Sequence, residues 1–184
     1  IKDANDRNVD LVAGAGTNKT EIVGDFVTNG GMGTKGVISV GLSTADSYWQ
    51  GNYADNEGYG VTKGMEGKVN LYMKKGAQWT GFSDGEMNVT MEGAGTTWYG
   101  FHVGELSKFN VTDAFEQQKE YYAGGLTLNL LDGALWINAI STKQLDVNGN
   151  HVDSKVQNFT GYGGYIDMTG NNTFLALDSV NHAD

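Results

Sequence analysis

The chain has 184 residues, 39% of them hydrophobic, and a formal net charge of −10. It can bury a real core as one domain, or two at most, and it lacks the clustered Lys and Arg that nucleic acid or an anionic membrane surface demands. Zero cysteines exclude a disulfide framework, thiolate metal sites and a cysteine nucleophile. There is also no proline, where a usual abundance of about 5% would supply about nine; because proline cannot donate to a ladder, this suits a chain that is nearly all paired strand. The 28 glycines imply many turns and close backbone approaches. No run of about 18 apolar residues occurs, so no membrane-spanning helix is expected.

The opening "IKDANDRNVD" has no initiator methionine, basic n-region or apolar h-region; together with the final "SVNHAD" it reads as a piece of something longer. Ala13 to Gly16 and "NGGMGTKG" (29–36) are glycine-rich, but the second lacks the Lys-Ser/Thr end of a phosphate loop, so turn glycines are expected.

From residue 37 a repeat takes over. "VISVGLSTADSYWQG" (37–51), "KVNLYMKKGAQWTG" (68–81), "EMNVTMEGAGTTWYG" (86–100) and "LTLNLLDGALWIN" (126–138) each carry three alternating apolar positions, a small polar break and a tryptophan. An alanine lies in each break (Ala45, Ala77, Ala94, Ala134), and a fifth, degenerate copy is expected at "YIDMTGNNTFLAL" (165–177), with Phe174 in the tryptophan place. Alternation at period two over five residues makes one short strand, and the break turns the chain before a second strand begins. Trp49, Trp79, Trp98 and Trp136 all sit in this pattern, so we assign them to the structural core of the repeat. From first apolar residue to tryptophan is ten positions in two copies and eleven in the other two, so the turn must absorb one residue. Successive tryptophans are 30, 19 and 38 residues apart. A unit of roughly 19 to 22 residues with insertions explains this, which is the size of a solenoid rung.

One domain, 1–184, is expected, with insertions at about 43–66, 110–124 and 141–160, and function is sought there. The first holds Tyr48, Tyr53 and Tyr59. The second, "NVTDAFEQQKEYYAGG", is helix-like, with Asp113 and Glu116 as a variant capping box, Gly124 as a stop, and Tyr121 and Tyr122 beside it. The third has Asn148-Gly149 between alternating flanks, a hairpin signal that predicts a protruding β-arm. Tyr48, Tyr53, Tyr59, Tyr121, Tyr122 and Asn148 are the candidate ligand contacts.

"VNLYMKKGAQWTG" (69–81) resembles the strand, turn, tryptophan segment of Gram-negative autotransporter passenger domains of the pertactin and AIDA-type adhesin family, and "MNVTMEGAGTTWYG" and "LTLNLLDGALW" resemble it too. The resemblance covers about residues 36–140. It implies an all-β fold, a right-handed parallel β-helix, exported to the outer-membrane exterior and joined in the full-length protein to a membrane β-barrel. It implies an adhesive module that attaches to host cells, matrix or another bacterial surface.

Residue chemistry points to no catalytic, cofactor or metal site. Asp146, Asn148, Asn150 and Asp153 have calcium-like spacing, but the glycine is misplaced and no glutamate closes the loop. Histidines 102, 151 and 182 are scattered, and Asp25, Asp84, Asp113, Asp132 and Asp167 occur in different registers. The Asn-x-Thr triplets at Asn18, Asn88, Asn110, Asn158 and Asn171 read as strand composition. No enzyme is therefore expected. The alternatives are a polysaccharide-cleaving enzyme on the same scaffold and a small outer-membrane barrel, the latter needing longer unbroken alternation than five residues.

Overall fold

The computed structural model describes residues 19–28, 36–55, 67–103, 125–140, 149–151, 153–169 and 175–182. Among these every regular element is a strand, β1 to β14 in chain order, so the class is all-β. One sheet runs β3 (Val37–Leu42), β6 (Lys68–Lys74), β8 (Glu86–Glu92), β10 (Leu126–Leu131), β12 (Ser154–Tyr162), β14 (Leu175–His182). A second runs β1 (Glu21–Val23), β4 (Tyr48–Gln50), β7 (Gln78–Thr80), β9 (Thr97–Gly100), β11 (Leu135–Asn138), β13 (Tyr165–Asp167). A short third ladder pairs β2 (Phe26–Thr28) with β5 (Tyr53–Asp55), and single bridges carry it from Tyr53 to Ser83 and on to His102. Among the described residues all pairings of one strand with another are parallel, and only two isolated bridges, Val103 to Ser154 and Leu131 to Gly163, are antiparallel. The chain therefore passes from first sheet to second sheet to third ladder, and returns one strand further along.

The inner faces follow from the alternation. Ile38, Val69, Met87 and Leu126 are in register and buried, as are Leu42, Met73, Met91 and Leu130. The alternation slips once, in β12, where Gln157 and Asn158 are both exposed between buried Val156 and core-packed Phe159. On the outer face one row in register reads Ser39, Asn70, Asn88, Thr127, Asn158, Ser179. A second row, two residues further along each strand, reads Tyr72, Thr90, Asn129, Thr160, Asn181.

The one-residue difference between copies disappears in the turns. In the ten-step copies Lys75 and Gly76 (φ 56° and 87°), and Asp132 and Gly133 (φ 50° and 86°), take the left-handed region at both central positions. This is the mirror-image two-residue turn, and buried Ala77 and Ala134 follow it. The eleven-step copies use one residue more and exit through Ser47 and Thr96, which are also buried. Their hydroxyls serve the turns: Ser47 Oγ accepts from Thr20 N at 2.9 Å, and Thr96 Oγ1 accepts from Gly76 N at 3.0 Å. The small residue that matches Ala77 is therefore Ser47 or Thr96, and the expected equivalents Ala45 and Ala94 lie exposed.

All four tryptophans thus reach one register, Trp49 to Trp79 to Trp98 to Trp136. Each is 0% exposed, and their rings stack at 4.8, 4.6 and 4.9 Å with interplanar angles of 2°, 6° and 8°. Buried indole N–H groups need a partner, and each donates to the carbonyl of the glycine two residues after the equivalent position in the preceding unit. Trp49 bonds Gly24 O at 2.9 Å, while Trp79, Trp98 and Trp136 bond Gly51 O, Gly81 O and Gly100 O at 3.0 Å each. A Cβ on Gly51, Gly81 or Gly100 would strike the preceding glycine's carbonyl oxygen, so the Trp-x-Gly spacing serves two neighbours at once. The column ends on Ile22 on one side and Ile166 on the other, and the residue two after Trp136 is Asn138 rather than glycine.

Two expectations change. The segment opening at 165 is not a first strand: Tyr165–Asp167 is the second-sheet strand, Ile166 rather than Phe174 continues the tryptophan register, and Phe174 lies outside the described residues. Nor does Ser154–Tyr162 belong to a protruding arm. It pairs in parallel with β10 and β14, because the Val156 and Phe159 side chains complete the core. The helix expected over 110–124 lies outside the described residues.

Candidate functional site

The position of the long connections defines the candidate site. Among the described residues every connection from a first-sheet to a second-sheet strand is short, whereas the chain leaves the described body just after the third ladder or its continuation. It departs after Asp55 and returns at Gly67, departs after Val103 and returns at Gly125, and departs after Ile140 and returns at Gly149. In the unit between, Ser83 reaches β8 through Asp84 and Gly85 alone. Apart from the one residue gained or lost in the first-to-second-sheet turn, the variation in tryptophan spacing therefore sits at one corner.

Buried polar groups tie this corner together. Tyr53, wholly buried, donates its hydroxyl to Gly67 O at 3.0 Å and so closes the base of the 56–66 connection. Its ring fills the space where a Cβ on Gly85 would sit, and its carbonyl accepts from Asp84 N at 3.2 Å. One unit on, Ser83 Oγ lies 2.6 Å from His102 Nδ1, both residues 0% exposed. Ser154, also 0% exposed, accepts from His102 N at 3.2 Å, and the His102 carbonyl accepts from Lys155 N at 2.9 Å. Val103 bridges Ser154 and packs on Ile140. The exits toward 104–124 and 141–148 and the return at β12 are thus fastened to one another.

The Ser83–His102 pair is within reach for proton transfer, but both residues are wholly buried. Its role here is to satisfy buried polar atoms, which cost heavily when unpaired. Elsewhere the shifted ionisable groups are surface ones with local partners. Lys19 lies 2.6 Å from Glu21, and that hydrogen bond raises the lysine pKa and lowers the carboxyl's, with Tyr48 adding a smaller lowering. The Thr44 hydroxyl holds Asp46 low, and the Thr169 backbone N–H holds Asp167 low. Among the described residues no three His, Asp or Glu side chains gather as metal ligands.

Of the candidate contacts, Tyr48 is half-buried on β4, in register with Glu21 and Gln78. Tyr53 belongs to the core rather than to a ligand-contact loop, because its ring and hydroxyl are consumed at the base of the connection. Tyr59, Tyr121, Tyr122 and Asn148 lie outside the described residues. Sequence reasoning passed over His102, Ser83 and Ser154: one scattered histidine and two serines carry no pattern, and only the return of β12 to the sheet unites them. No family model matches the chain, and no curated protein or solved structure was found to match it.

Proposed function

We propose that the chain is part of an autotransporter-type passenger, a right-handed parallel β-helix that acts as a structural and adhesive module without catalysis. In this reading it stands on the outer-membrane exterior, linked to a membrane β-barrel, and carries its connections to a host-cell, matrix or bacterial-surface partner. The observation that carries it is the strand, turn, tryptophan unit stacked in parallel register with all its long connections at one corner. Right-handedness is the general rule for parallel crossovers within a sheet. A rigid body with variable connections on one side suits display, and several weak contacts on one rigid arm add in avidity.

The parallel ladders weigh against a membrane barrel, which is built from antiparallel strands. A polysaccharide-cleaving enzyme would need paired acids, and Asp25 and Asp167 instead accept backbone N–H groups, of Asn52 and Thr169. The test is to express the full-length gene product in a Gram-negative host. Surface proteolysis should release a fragment containing this chain, and replacing residues 56–66, 104–124 and 141–148 with short links should abolish adhesion. A fragment that stays protected in intact cells, or adhesion unchanged without these connections, overturns the reading.

A further inference from the structure

The outer face of the first sheet carries a pattern that its repeat role does not require. On β8, β10, β12 and β14 the two rows alternate amide and hydroxyl in both directions: Asn88 and Thr90, Thr127 and Asn129, Asn158 and Thr160, Ser179 and Asn181. The Asn-x-Thr triplets at Asn88 and Asn158 are this pattern read along two strands. Neighbouring amides orient one another. Asn88 Nδ2 donates to Asn70 Oδ1 at 3.1 Å, Asn129 Nδ2 to Thr90 Oγ1 at 3.1 Å, and Asn158 Nδ2 to Thr127 Oγ1 at 3.4 Å. An amide nitrogen carries two hydrogens and its oxygen two lone pairs, so each asparagine so engaged keeps donor and acceptor capacity for a ligand. None of these eight positions is ionisable or apolar, on a chain whose net charge is −10.

These features select the occupant. An ionic polymer finds no counter-charge at these eight positions, where the charges flanking them pair with one another, Lys68 with Glu86 at 3.3 Å, and an anionic one is repelled by the chain as a whole. An apolar partner finds nothing to bury. A polyol, with donors and acceptors on every unit, matches both amide and hydroxyl. The grid steps by about 4.8 Å across the strands and about 6.8 Å along them, so a linear ligand lying across the sheet meets one amide and one hydroxyl at every strand, their order reversing from each strand to the next. Tyr72 heads the second row at 38% exposure, its hydroxyl 2.5 Å from Glu92 Oε2 and Lys74 Nζ 5.4 Å from its ring centroid. It offers a fixed aromatic surface to a terminal ring. The tryptophans offer none, being wholly buried.

We infer that this outer face binds a neutral linear polysaccharide laid across the strands. The inference rests on the adhesive reading for its setting, yet its test needs no export machinery. The purified 184-residue chain is sedimented with microcrystalline cellulose, chitin and mannan, and with calcium polygalacturonate gel as the anionic control. Retention is expected on at least one neutral glycan and not on polygalacturonate. Thr127→Lys combined with Asn129→Lys, with unchanged melting temperature, should weaken it at least about tenfold, the equivalent of one lost hydrogen bond. If that double variant does not fold, Asn129→Asp alone, which keeps the shape and removes two donors, decides by the same criterion. Retention on no neutral glycan, equal retention on polygalacturonate, or retention untouched in the folded variants overturns the inference. So does ice-growth inhibition without glycan retention, which would assign the grid to ordered water. If glycan retention fails while the full-length protein still mediates adhesion, only this inference falls; glycan retention by a protein that never reaches the surface removes the adhesive reading instead.

Discussion

The two corners of each unit obey different rules. Where the first sheet turns into the second, the path is ten or eleven residues from first apolar position to tryptophan, and the exit residue is Ser47, Ala77, Thr96 or Ala134, all buried. Where the third ladder returns to the first sheet, Ser83 needs only Asp84 and Gly85 to reach β8, whereas residues 104–125 separate Val103 from β10. The first corner fixes the register of the indole column and absorbs no more than one extra residue. At the second, closing a longer connection costs only about 0.6 kcal/mol per doubling of length, so length is free to vary there once its base is fastened. In these units regularity and variability are thus kept on opposite sides of one dry core.

The comparison breaks most visibly at the column. Trp98 stacks on Trp79 and Trp136 and donates to Gly81 O, so Trp98→Ala should cost about 3 to 5 kcal/mol in denaturant unfolding. An unchanged midpoint would mean that the stack contributes nothing. Gly100→Ala comes next. Its methyl meets Gly81 O and the Trp98 indole nitrogen, and overpacking of this kind costs about 1 to 3 kcal/mol; the same urea titration, read with tryptophan fluorescence, should show both the loss and a disturbed indole environment.

At the variable corner a large sequence change should have a smaller effect. Replacing 104–124 with a two-residue link like Asp84-Gly85 should stabilise by no more than about 2 kcal/mol; a strong loss would show that this connection is part of the core. Tyr53→Phe leaves the Gly67 carbonyl without its buried donor, at a cost of about 1 kcal/mol. Hydrogen exchange at Gly67 and its neighbours should accelerate while the indole column stays protected. The smallest effect is on the outer face. The hydrogen bond to Glu92, then partial burial and the carboxylate's charge, raise the Tyr72 pKa above the ordinary value of about 10. A raised pKa means this contribution is fully present below that value and is lost as pH climbs through the folded-state one. A shallow alkaline loss of melting temperature is expected in the wild type and not in Tyr72→Phe.

Much of the sheet architecture was readable. The triplets Val69, Leu71, Met73 and Leu126, Leu128, Leu130 mark strands by period alone, and the polar breaks after them mark turns; that Lys75 and Asp132 take the left-handed region there is seen only in the structure. What misled was non-local. The Asn148-Gly149 signal suggested an arm, yet the strand that follows, β12, pairs in parallel across the sheet, because Val156 and Phe159 are worth more inside the core than on a hairpin. At the candidate corner, Tyr53 resembled its loop neighbours and became core, while His102 resembled nothing and became the link between Ser83 and Ser154.

The sequence by itself determined the local grammar: strand, break, tryptophan, glycine, and the alternation that makes one face dry. Those properties depend on neighbours within a dozen residues, and side-chain period and turn conformation are local quantities. Tertiary structure alone decided which unit stacks on which, that Ile22 and Ile166 end the indole column, that each indole N–H is satisfied by the preceding unit's glycine, and that asparagines and threonines from distant strands form one outer grid. These contacts cross connections of unequal length, and chain entropy scarcely distinguishes one length from another. The choice among them was made by the fit of buried surfaces.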